Sequence, residues 1–143
     1  MATENGGFAA LLAIQLLAAV GLFGVIIFWP GEWNAMRWTG AIIAVPALIM
    51  LFVARYQLGK SFSVTAQARQ LVTRGVYSKV RNPIYVFSGL MVIGFALALQ
   101  RPVLLAIVLT LIPVQIIRAR KEARVLEDAF GEQYREYRKK TWF

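Results

Sequence analysis

The feature that most limits how this chain can fold is an apolar segment of 21 residues, from Phe8 to Phe28. Gln15 is its single strongly polar side chain. At about 1.5 Å per residue, a helix of this length crosses the roughly 30 Å hydrocarbon core of a bilayer. Trp29 and Pro30 follow it, an interfacial aromatic residue beside a helix breaker. The segment therefore predicts a transmembrane helix.

Three further apolar segments have the length of short membrane spans. Pro46 lies inside the first of them and should kink its helix. A Gln-Arg-Pro sequence at residues 100–102 separates the last two, which predicts a tight helical hairpin. The three spans are predicted from Trp38 to Ala54, from Ile84 to Leu99 and from Pro102 to Ile117.

Composition agrees with membrane residence and excludes several kinds of chemistry. The chain is 59% hydrophobic with seven acidic residues, and a small soluble fold would have to expose much of that apolar surface. There is no Cys and no His, which rules out thiolate nucleophiles, disulfides, the usual histidine base and the common zinc sites. The first seven residues lack a basic stretch, so a cleaved signal peptide is not expected.

The distribution of basic residues predicts the orientation. Six lie between Arg55 and Arg81 and eight follow Ile117, whereas the other two connections contain one each, Arg37 and Arg101. With four spans, both basic-rich segments and the N-terminus share one face, which the positive-inside rule makes cytoplasmic. Charge concentrated there attracts anionic lipid, so nucleic acid is not a predicted partner.

These observations predict an all-α integral membrane protein with about four transmembrane helices and a cytoplasmic amphipathic C-terminal helix. Residues 1–143 form a single membrane domain, with an N-terminal helical hairpin at 1–56 and a core at 57–143. The residues after Arg118 repeat apolar groups at helical spacing, with an interruption near Gly131. A short interfacial segment is predicted from Val64 to Leu71.

The stretch from Leu71 to Tyr85 contains the first group that could carry chemistry. Pro83 disfavours the helical conformation at Asn82, so a helix should begin at Pro83 with Asn82 as its cap. Arg81 would then lie beside free backbone N–H groups, an arrangement that suits a carboxylate or phosphate. The competing interpretation is an interfacial arginine that extends to lipid headgroups, and the spacing alone favours it.

The acidic and aromatic residues of the tail leave similar alternatives open. Arg118 and Glu122 are four residues apart on one helix face and could simply pair, or Glu122 could accept hydrogen bonds from a ligand's ammonium or hydroxyl groups. The tyrosines near this face could belong to an aromatic belt or could contact a cation. They are Tyr77, Tyr85, Tyr134 and Tyr137.

Taken together, these residues resemble the isoprenylcysteine carboxyl methyltransferase family and its phospholipid methyltransferase relatives. Members are integral membrane enzymes that use S-adenosylmethionine to methylate lipophilic substrates. The similarity runs from Gly59 to Tyr137, over half the chain. Its motifs are Leu71-Val72-Thr73-x-Gly75-x-Tyr77-x-x-Val80-Arg81-Asn82-Pro83-x-Tyr85 and, after the hairpin, Glu122-x-x-x-Leu126-x-x-x-Phe130-Gly131-x-x-Tyr134-x-x-Tyr137.

The resemblance implies a cofactor, its binding residues and a class of acceptor. S-adenosylmethionine would lie between the helix start at Arg81, the hairpin and the tail. Arg81 would hold its carboxylate and Glu122 its amino group or ribose, and these two are the predicted catalytic residues. A lipophilic or lipid-modified acceptor with a carboxylate, thiol or amine would enter from the bilayer. The remaining predicted binding residues are Tyr77, Asn82, Pro83, Tyr85, Arg118 and Tyr134.

Two positions depart from the family pattern. The family usually has Arg-His-Pro, whereas the middle residue here is Asn82, which cannot titrate near neutrality. The family often has paired glutamates, whereas Glu122 is followed here by Ala123. Two other functions remain open at this point: a catalytically silent membrane adaptor with a basic lipid- or partner-binding face, and a reductase, because membrane sterol reductases have a similar C-terminal architecture.

Overall fold

The computed structural model describes residues 2–59 and 71–143. The predicted interfacial segment from Val64 lies outside these residues except for Leu71, which is not helical. The described residues form five α-helices and two 3-10 turns, which confirms the all-α class. The helices are α1 (Ala2–Phe28), α2 (Ala35–Leu58), α3 (Pro83–Ala98), α4 (Leu105–Phe130) and α5 (Glu132–Lys140), and the turns are Gly75–Ser78 and Pro102–Leu104.

The fourth helix differs most from its prediction. The sequence separated an apolar span ending at Ile117 from a charged tail, but α4 continues without a break to Phe130. No Gly or Pro interrupts residues 118–130. The predicted interruption at Gly131 is confirmed: its φ is +50° and its N–H donates to the Glu127 carbonyl at 2.8 Å. At roughly 39 Å by the usual helical rise, α4 exceeds the thickness of a hydrocarbon core.

The surface of the helices is apolar on several sides. Leu17 of α1 is 71% exposed and Leu109 of α4 is 72% exposed. Among the described helices, α2 meets the length and hydropathy expected of a membrane span, whereas α3 and the part of α1 at Ala13–Phe28 are apolar but shorter. Large exposed apolar groups are what a lipid-facing helix presents. The four-span topology stays a prediction.

Helices α2 and α3 pack through small residues at unusually short range. They run antiparallel, with Gly40 against Ala98 and Ala44 against Gly94. A Cβ on Gly94 would lie 2.5 Å from the Ala44 nitrogen, and one on Gly40 would lie 2.6 Å from the Gly94 carbonyl oxygen. Each helix therefore contributes a small-xxx-small pair, the pattern that lets helix backbones meet within membranes.

Arg37 joins the end of α1 to the start of α2. Its side chain is 1% exposed, and its guanidinium donates to the carbonyls of Ile26, Trp29 and Gly31 at 2.7–2.8 Å. It also lies 4.5 Å from the centre of the Trp33 ring. These carbonyls would otherwise lack partners at the end of α1. The sequence predicts Arg37 only as the single basic residue of its connection, whereas in the structure it is a buried residue that holds the connection together.

The α3–α4 hairpin is as predicted, and its turn lies beside the α1–α2 connection. The Gln115 amide donates to the Ser88 hydroxyl at 3.3 Å between the two helices. The Gln100 side chain donates to the Glu32 carbonyl at 2.7 Å. Both short connections therefore occupy one end of the molecule. The described parts of the two basic-rich segments meet at the other end, where Trp142 bonds to the backbone of Lys79 and Arg81.

The close approach of α2 and α3 predicts that Gly40→Ala lowers the free energy of unfolding by about 1–3 kcal/mol, because the new methyl group meets backbone atoms. Thermal unfolding in detergent measures the change. Gly21→Ala is the matched control, since a Cβ there meets nothing within 4 Å and alanine favours helix by up to about 1 kcal/mol. Equal melting temperatures for the two variants would contradict the packing described.

The three carbonyls bound by Arg37 predict that Arg37→Met lowers the free energy of unfolding by about 3 kcal/mol or more, since charged hydrogen bonds are lost in a buried position. Arg37→Lys should fall between, because an ammonium cannot match the planar spread of a guanidinium. Chemical denaturation in detergent ranks the three proteins. A lysine variant as stable as the parent would show that charge alone suffices.

Candidate functional site

The turn that precedes α3 is bound on one side by a residue at the end of α2, Gln57. Gly75 has φ +61°, which favours glycine, and a Cβ there would overlap the Gln57 side chain. The Gln57 side-chain oxygen accepts the Val76 N–H at 2.8 Å. The positive φ favours glycine at position 75, a side chain there would displace the end of Gln57, and α2 fixes where the turn begins.

The other side of this turn pairs with residues near the end of the tail. The Trp142 N–H donates to the Lys79 carbonyl at 2.8 Å, and the Trp142 and Phe143 carbonyls accept the N–H groups of Arg81 and Asn82 at 2.9 Å. The result is a parallel bridge between Val80 and Trp142. This contact was not predicted, because no local pattern announces a bridge between residues so far apart.

The pairing corrects the prediction about the start of α3. Helix α3 does begin at Pro83 with Asn82 in the cap position, but the Asn82 side chain makes no capping bond. The backbone N–H groups of Arg81 and Asn82 are taken by the tail carbonyls. The N–H groups of Arg81 and Asn82 themselves are therefore not available to an anion, and the expected role of the first N–H groups of α3 stays a prediction.

Helix α5 packs its tyrosines onto the same turn. The Tyr137 hydroxyl donates to the Tyr77 carbonyl at 2.7 Å, and the Tyr134 ring centre lies 6.2 Å from that of Tyr137. All three rings are buried within the protein, so they do not form a lipid-facing belt. Burial raises the pKa of Tyr137 to about 12 and also raises the pKa of Tyr77, which keeps both hydroxyls neutral.

Glu122 forms the centre of a second group of polar residues. The Tyr85 hydroxyl donates to its carboxylate at 3.1 Å. Burial raises the pKa of the Glu122 carboxyl, while the Tyr85 hydrogen bond and the charge of Arg118 oppose that rise. The Tyr77 hydroxyl is buried, has no partner among the described residues, and has its pKa raised further by the Glu122 charge. This group can accept a cation or hydrogen-bond donor and supplies one unused hydroxyl.

A cavity of about 530 Å³ opens between the start of α3, one face of α4 and the tail. Its lining is basic, with four arginines and one glutamate, and Glu127 also pairs with Arg135 at 3.0 Å. The Nε of Arg81 is buried and meets no acceptor within the described chain. The lining residues are Arg81, Asn82, Ile116, Ala119, Arg120, Ala123, Arg124, Glu127, Arg138 and Phe143.

The structure places the predicted site residues at one end of the molecule but in two groups. Arg81 and Asn82 line the cavity, whereas Glu122 contacts Tyr85. Tyr134 connects the groups, since charges from both Arg81 and Glu122 act on its pKa, although burial is the main cause that raises it. Pro83 is fully buried and serves as the first residue of α3.

Three arginines of the cavity were not proposed as site residues. Arg120, Arg124 and Arg138 had been counted only for the orientation of the chain. A signal was present in the sequence, because Arg120 and Arg124 are four residues apart and therefore share a helix face. This face lines the cavity because α4 continues past Ile117 as one helix.

Comparison with known proteins agrees with this architecture. The phospholipid methyltransferase family model matches residues 33–133. The mouse protein-S-isoprenylcysteine O-methyltransferase is 31% identical over 125 residues, which cover 80% of this chain and 44% of that protein. The human protein of the same name is 32% identical over 124 residues, covering 80% and 43%. The chain thus spans less than half the length of these relatives.

The chain belongs to the phospholipid methyltransferase family, a family of membrane methyltransferases that includes relatives of the isoprenylcysteine enzymes. The resemblance inferred from the two sequence motifs is confirmed. The matched region contains α2, α3, α4 and both Arg81 and Glu122. It ends before Tyr134 and most of α5.

The raised pKa of Glu122 predicts a pH dependence of stability. Since the folded state binds this proton more tightly than the unfolded chain, the contribution is fully present below the ordinary value of 4.5 and is lost as pH rises through the folded-state pKa. The melting temperature of the parent relative to Glu122→Gln should therefore fall as pH increases above 4.5. Thermal unfolding in detergent at a series of pH values measures this difference. A difference that stays flat or rises would contradict it.

Proposed function

We propose that this protein is an S-adenosylmethionine-dependent methyltransferase whose acceptor is a lipophilic molecule of the membrane. The observation that carries the proposal is the cavity beside Arg81, together with the Glu122–Tyr85 pair at the same end of the helices. Family membership supports the reaction type, since the family transfers methyl groups from this cofactor. The cavity volume lies within the range of small-molecule sites.

The chemistry of the two groups fits an amino-acid-bearing cofactor. The buried Arg81 Nε is a donor without an acceptor among residues 2–59 and 71–143, and a carboxylate would satisfy it with a charge-assisted hydrogen bond. Glu122 can accept a hydrogen bond from an ammonium or ribose hydroxyl, while the Tyr85 hydroxyl orients its carboxylate. The unused Tyr77 hydroxyl gives a further contact. S-adenosylmethionine supplies a methyl group on a sulfonium when bound.

The contribution of the protein to methyl transfer is positioning and exclusion of water. In-line displacement requires the acceptor atom and the methyl group to be aligned, and holding both reactants in place supplies much of the rate. A carboxylate or thiolate acceptor needs no base. An ammonium acceptor must lose a proton first, and without histidine in the chain Glu122 or solvent receives it.

The proposed arrangement in the membrane follows from the distribution of charge. The site lies at the end where the basic-rich segments meet, away from the connection that contains Arg37 and from the α3–α4 turn. By the positive-inside rule this end, with both termini, faces the cytoplasm, where a soluble cofactor is available. The lipophilic acceptor reaches it sideways from the bilayer.

Ligand binding to the purified full chain in detergent tests the proposal. S-adenosylmethionine or S-adenosylhomocysteine should raise the melting temperature, since a ligand at about 100 times its Kd adds roughly 2.7 kcal/mol. Arg81→Ala and Glu122→Ala should each abolish the shift. Arg101→Ala, an exposed arginine at the opposite end, is the matched control and should retain it.

The alternative functions give different results in the same experiment. A folded parent protein that shows no shift with either compound overturns the methyltransferase proposal. An adaptor with a basic lipid-binding face would bind anionic vesicles whether or not Glu122 is present. A reductase would be stabilised by a nicotinamide cofactor. Labelled methyl transfer into a total lipid extract then identifies the acceptor.

A further inference from the structure

We infer that residues 141–143 form a pairing segment that positions Arg81 for the cofactor. This inference rests on the proposed function and adds to it a part of the chain that the family model does not match, since the match ends at residue 133. The segment acts through its backbone: Trp142 and Phe143 accept the two N–H groups on which the Arg81–Asn82 turn depends.

The turn has no other means of satisfying those groups within the described chain. The Asn82 side chain makes no cap, and Pro83 has no N–H to offer or to bond. The tail carbonyls, each at 2.9 Å, are the partners of the Arg81 and Asn82 N–H groups. Without these bonds the turn would lose its fixed conformation. Because the Arg81 side chain is attached to this turn, its guanidinium would lose its fixed position as well.

The pairing segment is itself anchored. Helix α5 ends where the Thr141 hydroxyl donates to the Tyr137 carbonyl at 3.0 Å, and Tyr137 in turn donates to the Tyr77 carbonyl at 2.7 Å. The tail therefore contacts the turn at two places, Tyr77 and the Lys79–Asn82 backbone. Phe143 also lines the cavity beside Arg81. Each of these contacts restricts the position of the guanidinium relative to α4.

Two substitutions at position 142 separate the backbone role from the side chain. Trp142→Pro removes the N–H that bonds to the Lys79 carbonyl, and Trp142→Ala retains it. The preceding residue, Thr141, has φ −119° and ψ 147°, which is the region allowed before proline. The indole is 66% exposed. Both variants lack it, and the effect of its loss therefore cancels when they are compared.

The test is titration of the full chain in detergent with S-adenosylhomocysteine, measured by calorimetry. We expect Trp142→Pro to bind about three- to tenfold more weakly than Trp142→Ala, the range produced by one net hydrogen bond. In an Arg81→Lys background this ratio should fall towards one, because the segment acts through the guanidinium. A ratio that persists unchanged in that background, or equal Kd values for folded Trp142→Pro and Trp142→Ala, would overturn the inference.

A milder variant keeps the test decisive if Trp142→Pro does not fold. Tyr137→Phe keeps the ring and loses the bond to the Tyr77 carbonyl, so it should weaken binding in the parent but not in the Arg81→Lys background. Unchanged affinity in both would count against positioning by the tail.

Failure of the proposed function gives a separate result. If the parent itself does not bind the ligand, the methyltransferase proposal fails, and hydrogen exchange tests the pairing alone. The amides of Arg81 and Asn82 should exchange faster in Trp142→Pro than in Trp142→Ala. Equal exchange rates would show that the segment does not hold the turn.

Discussion

The close contact between α2 and α3 is the constraint on which the site depends. Gly40 and Gly94 allow the two backbones to meet, and the antiparallel arrangement then brings the end of α2 near the start of α3. Gln57 at that end accepts the Val76 N–H, and Pro83 begins α3, so the turn between them is fixed at both sides. The position of Arg81 therefore depends in part on the contact at Gly40 and Gly94, which have no functional side-chain groups.

The two groups of polar residues differ in electrostatic character, although the charge of Arg118 also acts on Glu122. Arginines dominate the cavity beside Arg81, whereas the group around Glu122 combines a carboxylate with tyrosine hydroxyls. Helix α4 contributes to both, and Tyr134 lies close enough to both to be influenced by their charges. A ligand that carries an anionic and a cationic group within a few bonds matches this division, which is the charge pattern of an amino acid.

Much of the architecture was predictable because it follows from local pattern. Apolar length indicated the helices, Gly131 marked the end of α4, and the two motifs identified the family. The α2–α3 contact was not predicted, because apolar composition does not indicate which face of α2 packs against another helix. The pairing of Trp142 depends on the backbone of Lys79 and Arg81, which lie far from it in sequence. The carbonyls that Arg37 binds are near it in sequence, but which of them its guanidinium reaches depends on how the α1–α2 connection folds.

The bridge between Val80 and Trp142 also carries information about how the chain is threaded. In a membrane, its two residues can pair only if both lie on the same side of the bilayer. Under the predicted four-span topology, the chain between Tyr77 and Tyr137 crosses the bilayer an even number of times, so α3 and α4 insert together. During synthesis the turn at residues 79–82 emerges before residues 142–143, so their pairing forms only after α3 and α4 have been made. Under that topology, a chain with one hairpin helix left out would place the two halves of the pocket on opposite sides of the membrane.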